Sequence, residues 1–160
     1  MSEVRPILPE EIRLLPEIEK SADLLFEEAG FTDLPPPAGP KEYKDAKFIL
    51  VANDPPKGFV RVDEIDGLVH IEQLSVARPH MEKGLGSALL EGACTLVKQQ
   101  GYDSITLITF SGIRWNEDFY KKHGFAELAE LTLGLMKLRK HEIELGLDDV
   151  AKRIVMKRDL

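Results

Sequence analysis

The 160-residue chain has a single cysteine, Cys94. A lone thiol excludes an internal disulfide and fits a reducing compartment, so a cytoplasmic location is expected. No apolar run approaches the roughly 20 residues that a membrane-crossing helix requires. The opening stretch, MSEVRPILPEE, has neither the basic start nor the apolar core of a secretory signal, so no membrane partner is expected. Positive charge is scarce, with 21 Lys and Arg against 28 Asp and Glu and a formal net charge of −7. Proteins that track phosphate backbones need a basic face. The closest grouping here, Lys137, Arg139 and Lys140, is interleaved with apolar residues, so nucleic acid is excluded as an expected partner. An acidic surface tolerates a cationic substrate such as an amine. The four scattered histidines and one cysteine have no metal-ligand spacing, and no metal is expected. A Gly-x-Ser-x-Gly elbow and a Ser-His-Asp order are both missing, which excludes the common serine-hydrolase layouts.

What is present is globular: 43% hydrophobic and 31% charged residues. The length fits one domain over residues 1–160. Val4 to Ile7 reads as an edge strand, because Pro6 cannot donate to a ladder. Pro9 to Gly30 reads as helix, with Ile12, Leu15, Ile18, Ala22 and Phe26 on one face and a break at Pro16. Residues 33–40, DLPPPAGP, place four prolines in eight positions and predict a stiff surface loop, with a short helix near Tyr43 after it. Strands are predicted over Lys47 to Ala52, Lys57 to Glu64 and Leu68 to Val76, with Asp66-Gly67 as a hairpin turn. A helix follows Gly84 and closes at Gly101, and SITLITF, residues 104–110, reads as a buried strand. Asn116 to His123 predicts a short helix, Ala126 to Glu130 a strand, Gly134 to Leu145 a helix and Arg153 to Lys157 a final strand. The fold class is therefore α/β, a mixed sheet of about six to seven strands flanked by helices.

Residues 70–90, HIEQLSVARPHMEKGLGSALL, run from an apolar strand through a glycine turn into a helix. That arrangement presents backbone N–H groups to a phosphate. A P-loop is excluded, since Gly86 is followed by Ser87-Ala88 rather than Lys-Ser. A dinucleotide fingerprint is excluded too, since Leu89 stands where the third glycine belongs and SITLITF supplies no terminal acid. Val76, eight residues before Gly84-Leu85-Gly86, resembles the start of the acyl-CoA-binding motif of the GNAT superfamily of N-acyltransferases. The family pattern, Gln/Arg-x-x-Gly-x-Gly/Ala, reads here Met81-Glu82-Lys83-Gly84-Leu85-Gly86, with Met81 in place of the polar residue. Downstream, TFSGIRWNEDFYKKHGF, residues 109–125, resembles the second family signature in Asn116, Tyr120, Gly124 and Phe125. The tail, from Leu138 onward, is similar to a bacterial subgroup with an added helix before the last strand.

The resemblance implies two central parallel strands, ending near Val76 and Phe110, that splay apart to form an acyl-CoA cleft. It implies acetyl-CoA as cosubstrate, with its diphosphate on Glu82, Lys83, Gly84, Leu85, Gly86, Ser87 and Ala88. The pantetheine arm is expected along Leu74, Ser75 and Val76. Asn116 is expected to hold the pantetheine or a backbone carbonyl, and it also suits a helix N-cap.

Acetyl transfer to an amine needs a base for the ammonium, a donor for the oxyanion and an acid for the thiolate. The resemblance puts Tyr120 near the thioester sulfur as the acid; the plainer reading is an aromatic packed beside Phe119 and Phe125. The amide of Leu74 or Val76 is the expected oxyanion donor. Two-residue alternation places His70, Glu72, Leu74 and Val76 on one strand face, and both His70 and Glu72 are of a type suited to the base. Phe26, Phe31 and the DLPPPAGP loop are expected to contact the acceptor. His80, His123 and His141 read as solvent-facing, and Cys94 as a buried small side chain. The expected activity is an acetyl-CoA-dependent N-acyltransferase acting by direct transfer on a small-molecule amine or a protein amine. The alternative is a non-catalytic acyl-CoA-binding sensor or partner-binding module. The acceptor, the acyl chain length and the assembly state, a homodimer among the options, stay open.

Overall fold

A computed structural model of the chain describes residues 3–31, 39–111, 114–150 and 152–160. Most of the DLPPPAGP stretch, residues 33–38, lies outside them.

The strands are β1 (Val4–Pro6), β2 (Phe48–Ala52), β3 (Gly58–Ile65), β4 (Leu68–Val76), β5 (Ser104–Phe110), β6 (Ala126–Glu127) and β7 (Arg153–Asp159). They form one seven-stranded mixed sheet in the order β1-β2-β3-β4-β5-β7-β6. Proline-containing β1 is at the edge, as its missing N–H demands. Asp66 and Gly67, with φ of 54° and 74°, make the tight β3–β4 turn that the Asp-Gly pair predicts. β4 and β5 are the one parallel pair, joined by a crossover through α3 (Leu85–Gln99).

Apolar residues cover both faces of the sheet. Leu50, Ala52, Val60, Val62, Val69 and Ile71 pack on one side with Leu89, Leu90, Ala93 and Val97 of α3. Ile49, Val51 and Phe59 pack on the other with Leu15 and Ile18 of α1 (Leu15–Glu28) and Tyr43 of α2 (Pro40–Lys44). The first predicted helix divides as expected near Pro16: a 3₁₀ turn over Pro9–Leu14 gives way to α1, with Pro16 in its first turn. The α4 helix (Arg114–Lys122) starts two residues earlier than the spacing predicts. After α5 (Leu133–Glu144), the chain adds α6 (Leu147–Val150), which sequence periodicity missed. Four residues are too few to show a helical period.

Two details of β4 shape everything that follows. It pairs with β5 only at Val69↔Ile105, His70↔Thr106 and Ile71↔Leu107. Beyond Ile71 the two strands part. At the same place the register with β3 slips, since Arg61 faces Gln73 but Val62 faces Ile71. Glu72 is thus the extra residue of a β-bulge.

Candidate active site

The bulge corrects the expected alternation. Val69 and Ile71 join the α3-side core, and so do Leu74 and Val76 after the slip. His70 and Glu72 face the other side, and the four residues do not share one face. The apolar steps 69, 71, 74 and 76 contain one interval of three, which is the trace of the bulge in the sequence.

Where β4 and β5 part, a cavity of about 610 Å³ opens. Its floor includes Ile71, Glu72, Gln73 and Leu74 of β4 and Leu107, Thr109 and Phe110 of β5. Glu19, Asp23 and Phe26 of α1 form one wall, and Leu138, His141 and Glu142 of α5 another. Asn116 and Tyr120 reach it from α4. Tyr120 belongs to the α3-side core yet lines this cavity, because the gap between the strands connects the two sides. His141, expected to face solvent only, also lines it. Phe26 is among the lining residues, packed edge-on to Phe110 at 5.5 Å. Phe31 is not among the lining residues.

Glu72 keeps 30% side-chain exposure but is recessed. Burial is the main cause that pushes its pKa up to about 7. Nearby Arg61 and Arg153 oppose the shift, while Asp63 and Glu142 add to it. Both arginines are already engaged: Arg61 with Asp63 at 2.8 Å, Arg153 with Glu142 at 3.1 Å. Asp23 is likewise pushed up to about 7, by burial first and then by Glu19 and Glu27.

His70 is 2% exposed and stands behind Glu72, outside the cavity lining. Its Nδ1 lies 2.8 Å from Thr106 Oγ1. The Thr106 hydroxyl donates to the Val69 carbonyl at 3.4 Å, so its oxygen is left to accept the Nδ1 proton. That leaves Nε2 bare toward Glu72 Oε2, 3.9 Å away. Burial and Arg153 drive the imidazole pKa down to about 4. His70 is neutral near pH 7 and does not open to an acceptor.

Asn116 sits inside α4, so the N-cap alternative fails; its side-chain amide donates to Thr109 of β5. Tyr120 packs against Phe119 and Phe125, with centroids 5.2 and 6.0 Å away. The ring is packed, as the plainer reading expects, and it also lines the cavity. Burial raises its phenol to about 12, so it keeps its proton.

At the other end of the cleft, Glu82 and Gly84 have φ of 64° and 82°. The first helical bond of α3 is from Ala88 N–H to the Gly84 carbonyl at 3.0 Å, and no side chain caps the end. The amides of Leu85, Gly86 and Ser87 therefore point out of the helix. A Cβ at Gly84 would meet nothing within 4 Å, so the space over the turn is open. Val76 is beside it: a Cβ at Gly86 would lie 3.9 Å from Val76 Cγ2. The edge of β4 from Gln73 to Val76, without a β5 neighbour, leads from this turn to the cavity. An anionic, extended thioester donor fits a route of this kind: helix amides for the diphosphate, a free strand edge for the pantetheine. Leu85 contributes only its amide, since its side chain is buried. Cys94 is buried in α3 with its thiol raised to about 11, which agrees with a packing role.

Sequence reasoning missed one cluster. His123, expected to face solvent, is half-buried, with Nε2 3.0 Å from Ser87 Oγ and Nδ1 2.8 Å from Glu91 Oε1. Ser87 and Glu91 are one turn apart on α3, a spacing visible in the sequence; the docking of α4 that brings His123 to them is not.

A family model described as the acetyltransferase (GNAT) family matches residues 15–125, which include both glycine turn and α4. The PaiA N-acetyltransferase of Thermoplasma acidophilum, solved in complex with coenzyme A, is 16% identical with a TM-score of 0.73, over 100% of this chain and 99% of that one. A GNAT-family acetyltransferase of Staphylococcus aureus Mu50 is also 16% identical, with a TM-score of 0.75 over 100% and 99%. The ribosomal-protein-S18-alanine N-acetyltransferase of Escherichia coli, 16% identical, gives 0.69 over 99% and 94%. At these identities the likeness establishes the fold, while the family match spans most of the sequence and both of its signatures. The chain belongs to the GNAT acetyltransferase family.

Proposed function

We propose that the chain is an N-acetyltransferase that moves an acetyl group from acetyl-CoA directly to a primary amine, one that arrives as an ammonium ion. The observation that carries this reading is the bulge: where β4 leaves β5, the next residue, Glu72, is turned into the cavity with no Lys or Arg ion pair among the described residues.

Acetyl-CoA, when bound, supplies the activated acyl thioester. The amides of residues 85–87 and the open turn from Glu82 to Gly84 hold the diphosphate, with Lys83 and Ala88 beside them. Leu74, Ser75 and Val76 offer strand backbone to the pantetheine, and the Leu74 or Val76 amide stabilises negative charge developing on the acyl oxygen. Asn116, tied to Thr109, braces the β5 side of the gap.

Glu72 acts as the base. A carboxyl titrating near 7 is half ionised at neutrality and accepts the ammonium proton without a large mismatch. His70 is a positioning residue. Its bare Nε2 offers the Glu72 anion no proton, so nothing from this side lowers the carboxyl that burial has raised. Tyr120, protonated throughout the working range, donates toward the leaving thiolate. Asp23 has no hydrogen-bond or ion-pair partner among the described residues, and Phe26 adds an apolar wall. Two unpaired acids in one cavity favour a cationic acceptor. A volume of about 610 Å³ fits a small molecule. Buried Cys94 with its raised pKa supports transfer without a covalent enzyme intermediate.

A panel of small amines and peptide amines, read by free-thiol release from acetyl-CoA, tests the proposal. Release with small cationic amines is expected. Tight acetyl-CoA binding with no release on any amine would establish the non-catalytic sensor instead, and release on peptides alone would move the acceptor to proteins.

A further inference from the structure

The Ser87–His123–Glu91 cluster takes no part in the chemistry above. Ser87 is the third residue of α3, and its amide is one of those pointing out of the helix end. The imidazole of His123 joins it to Glu91, whose Oε1 also accepts from Arg158 Nη1 at 2.8 Å. We propose that Ser87, His123 and Glu91 form a proton-coupled contact for the diphosphate of acyl-CoA, so that ligand binding takes up a proton at His123. The inference rests on the reading that the diphosphate docks at the α3 end.

The proton positions follow from donor chemistry. Ionised Glu91 can only accept, and its hydrogen bonds from Arg158 and His123 hold its pKa low despite partial burial. His123 Nδ1 must therefore carry a proton in both charge states. In the neutral imidazole Nε2 is bare, and the Ser87 hydroxyl donates to it. In the imidazolium Nε2–H donates to Ser87 Oγ instead. The Ser87 proton is then released to point across the first turn of α3, where the outward amides lie. An anion there gains one hydroxyl donor and one nearby positive charge.

The charged groups facing His123 are Glu91 of α3 and Arg158 of β7, which is bonded to the same carboxylate oxygen. The Phe119 ring of α4, 5.0 Å away, covers one face. The order hydroxyl, imidazole, carboxylate is also that of an activated nucleophile. Ser87, however, does not line the cavity that holds Glu72 and Tyr120, and the cluster is assigned to binding. His123 is thus a positioning residue acting through Ser87.

The test uses 3′-dephospho-CoA, which keeps the diphosphate but lacks the phosphate monoester that itself titrates near pH 6. Calorimetry at pH 7 in two buffers of different ionisation enthalpy measures proton uptake, and Kd is followed from pH 5.5 to 8.5. For the unaltered protein, Kd is expected to rise about 5- to 10-fold across that range, with net proton uptake on binding. His123→Gln should still bind, with no uptake and a Kd that stays flat. Ser87→Ala, which keeps the imidazole but breaks the link, should lose most of the pH dependence, and it carries the test alone should His123→Gln not fold. A Kd constant within twofold in the unaltered protein, or uptake unchanged in either folded variant, overturns the inference and leaves diphosphate docking intact. No binding at any pH would overturn both.

Discussion

At the α3 end of the cleft the groups that point outward are main-chain amides of residues 85–87. At the α1 end the side chains of Glu72, Asp23 and Tyr120 line the cavity. The first arrangement depends on backbone geometry, an αL turn and an uncapped helix. The second depends on where two strands part and on which charges find partners. Binding built from backbone tolerates most side chains except those that intrude. A site built from side chains fails with a single atom. On the proposed reading the difference also separates what each end decides: the turn selects an acyl-CoA, the cavity what receives the acyl group.

Substitutions at the two ends should therefore have separable effects. The largest is expected for Glu72→Gln, which removes the base but keeps the shape. Turnover should fall by about 10²- to 10⁴-fold while the acetyl-CoA Kd stays within about twofold. The rise of kcat/KM with pH through about 7, where Glu72 ionises, should disappear with it. Next is Gly86→Val at the other end. A Cβ there sits at an ordinary 3.5 Å from Phe119 and 3.9 Å from Val76 Cγ2, and the valine methyls add bulk at the first turn of α3, beside the proposed diphosphate position. Acetyl-CoA affinity should drop by about 30- to 100-fold, roughly 2–3 kcal/mol, with little change in melting temperature. Unchanged affinity by calorimetry would remove the turn from the site. Tyr120→Phe should lower kcat about 10- to 100-fold with KM nearly constant. A loss within about twofold, some 0.4 kcal/mol, would transfer the acid role to water.

The smaller effects probe the support behind the acid. Thr106→Val frees His70 to present Nε2–H to Glu72. That should favour the carboxylate and move the ascending limb of the pH–rate profile by about half a unit toward acid. A purely packing role for Thr106 would lower the rate without moving the midpoint. Stability should respond too. Glu72 is protonated more readily in the folded chain, about 7 against an ordinary carboxylate value near 4.5. The unfolded chain releases this proton first, so stability is lost as pH rises through that window. Glu72→Gln should therefore melt a few degrees higher than the unaltered chain at pH 8 and show no gain at pH 4. His70 works in the opposite sense: its pKa is about 4 when folded and 6.5 ordinarily, so its contribution is lost as pH falls from 6.5 toward 4.

The two ends also differed in how readable they were. Strand, αL glycine and helix start leave a local signature, and residues 70–90 disclosed the glycine turn and the helix start after it without any tertiary information. The hairpin at Asp66-Gly67 and the break near Pro16 were legible for the same reason, since φ restrictions act within a few residues. The acceptor end was only half legible. Glu72 and Tyr120 could be named, but strict alternation put His70 on the wrong side of Leu74, because a bulge adds a residue without changing composition. Asp23 and Glu142 gave no signal, as their place depends on α1 and α5 flanking the same gap. The bond from His123 to Ser87 was invisible because it joins helices whose packing the sequence does not display.

The bulge at Glu72 also bears on how such a chain can change by insertion and deletion. Removing one residue there would restore the β3 register and let β4 continue alongside β5. It would also take away the carboxyl, so one deleted codon erases both the opening and the base. Substitution can separate the two, and a Gln at 72 keeps the cleft while losing the acid. On the proposed reading, a change of length in this strand costs both features at once, where a substitution costs one.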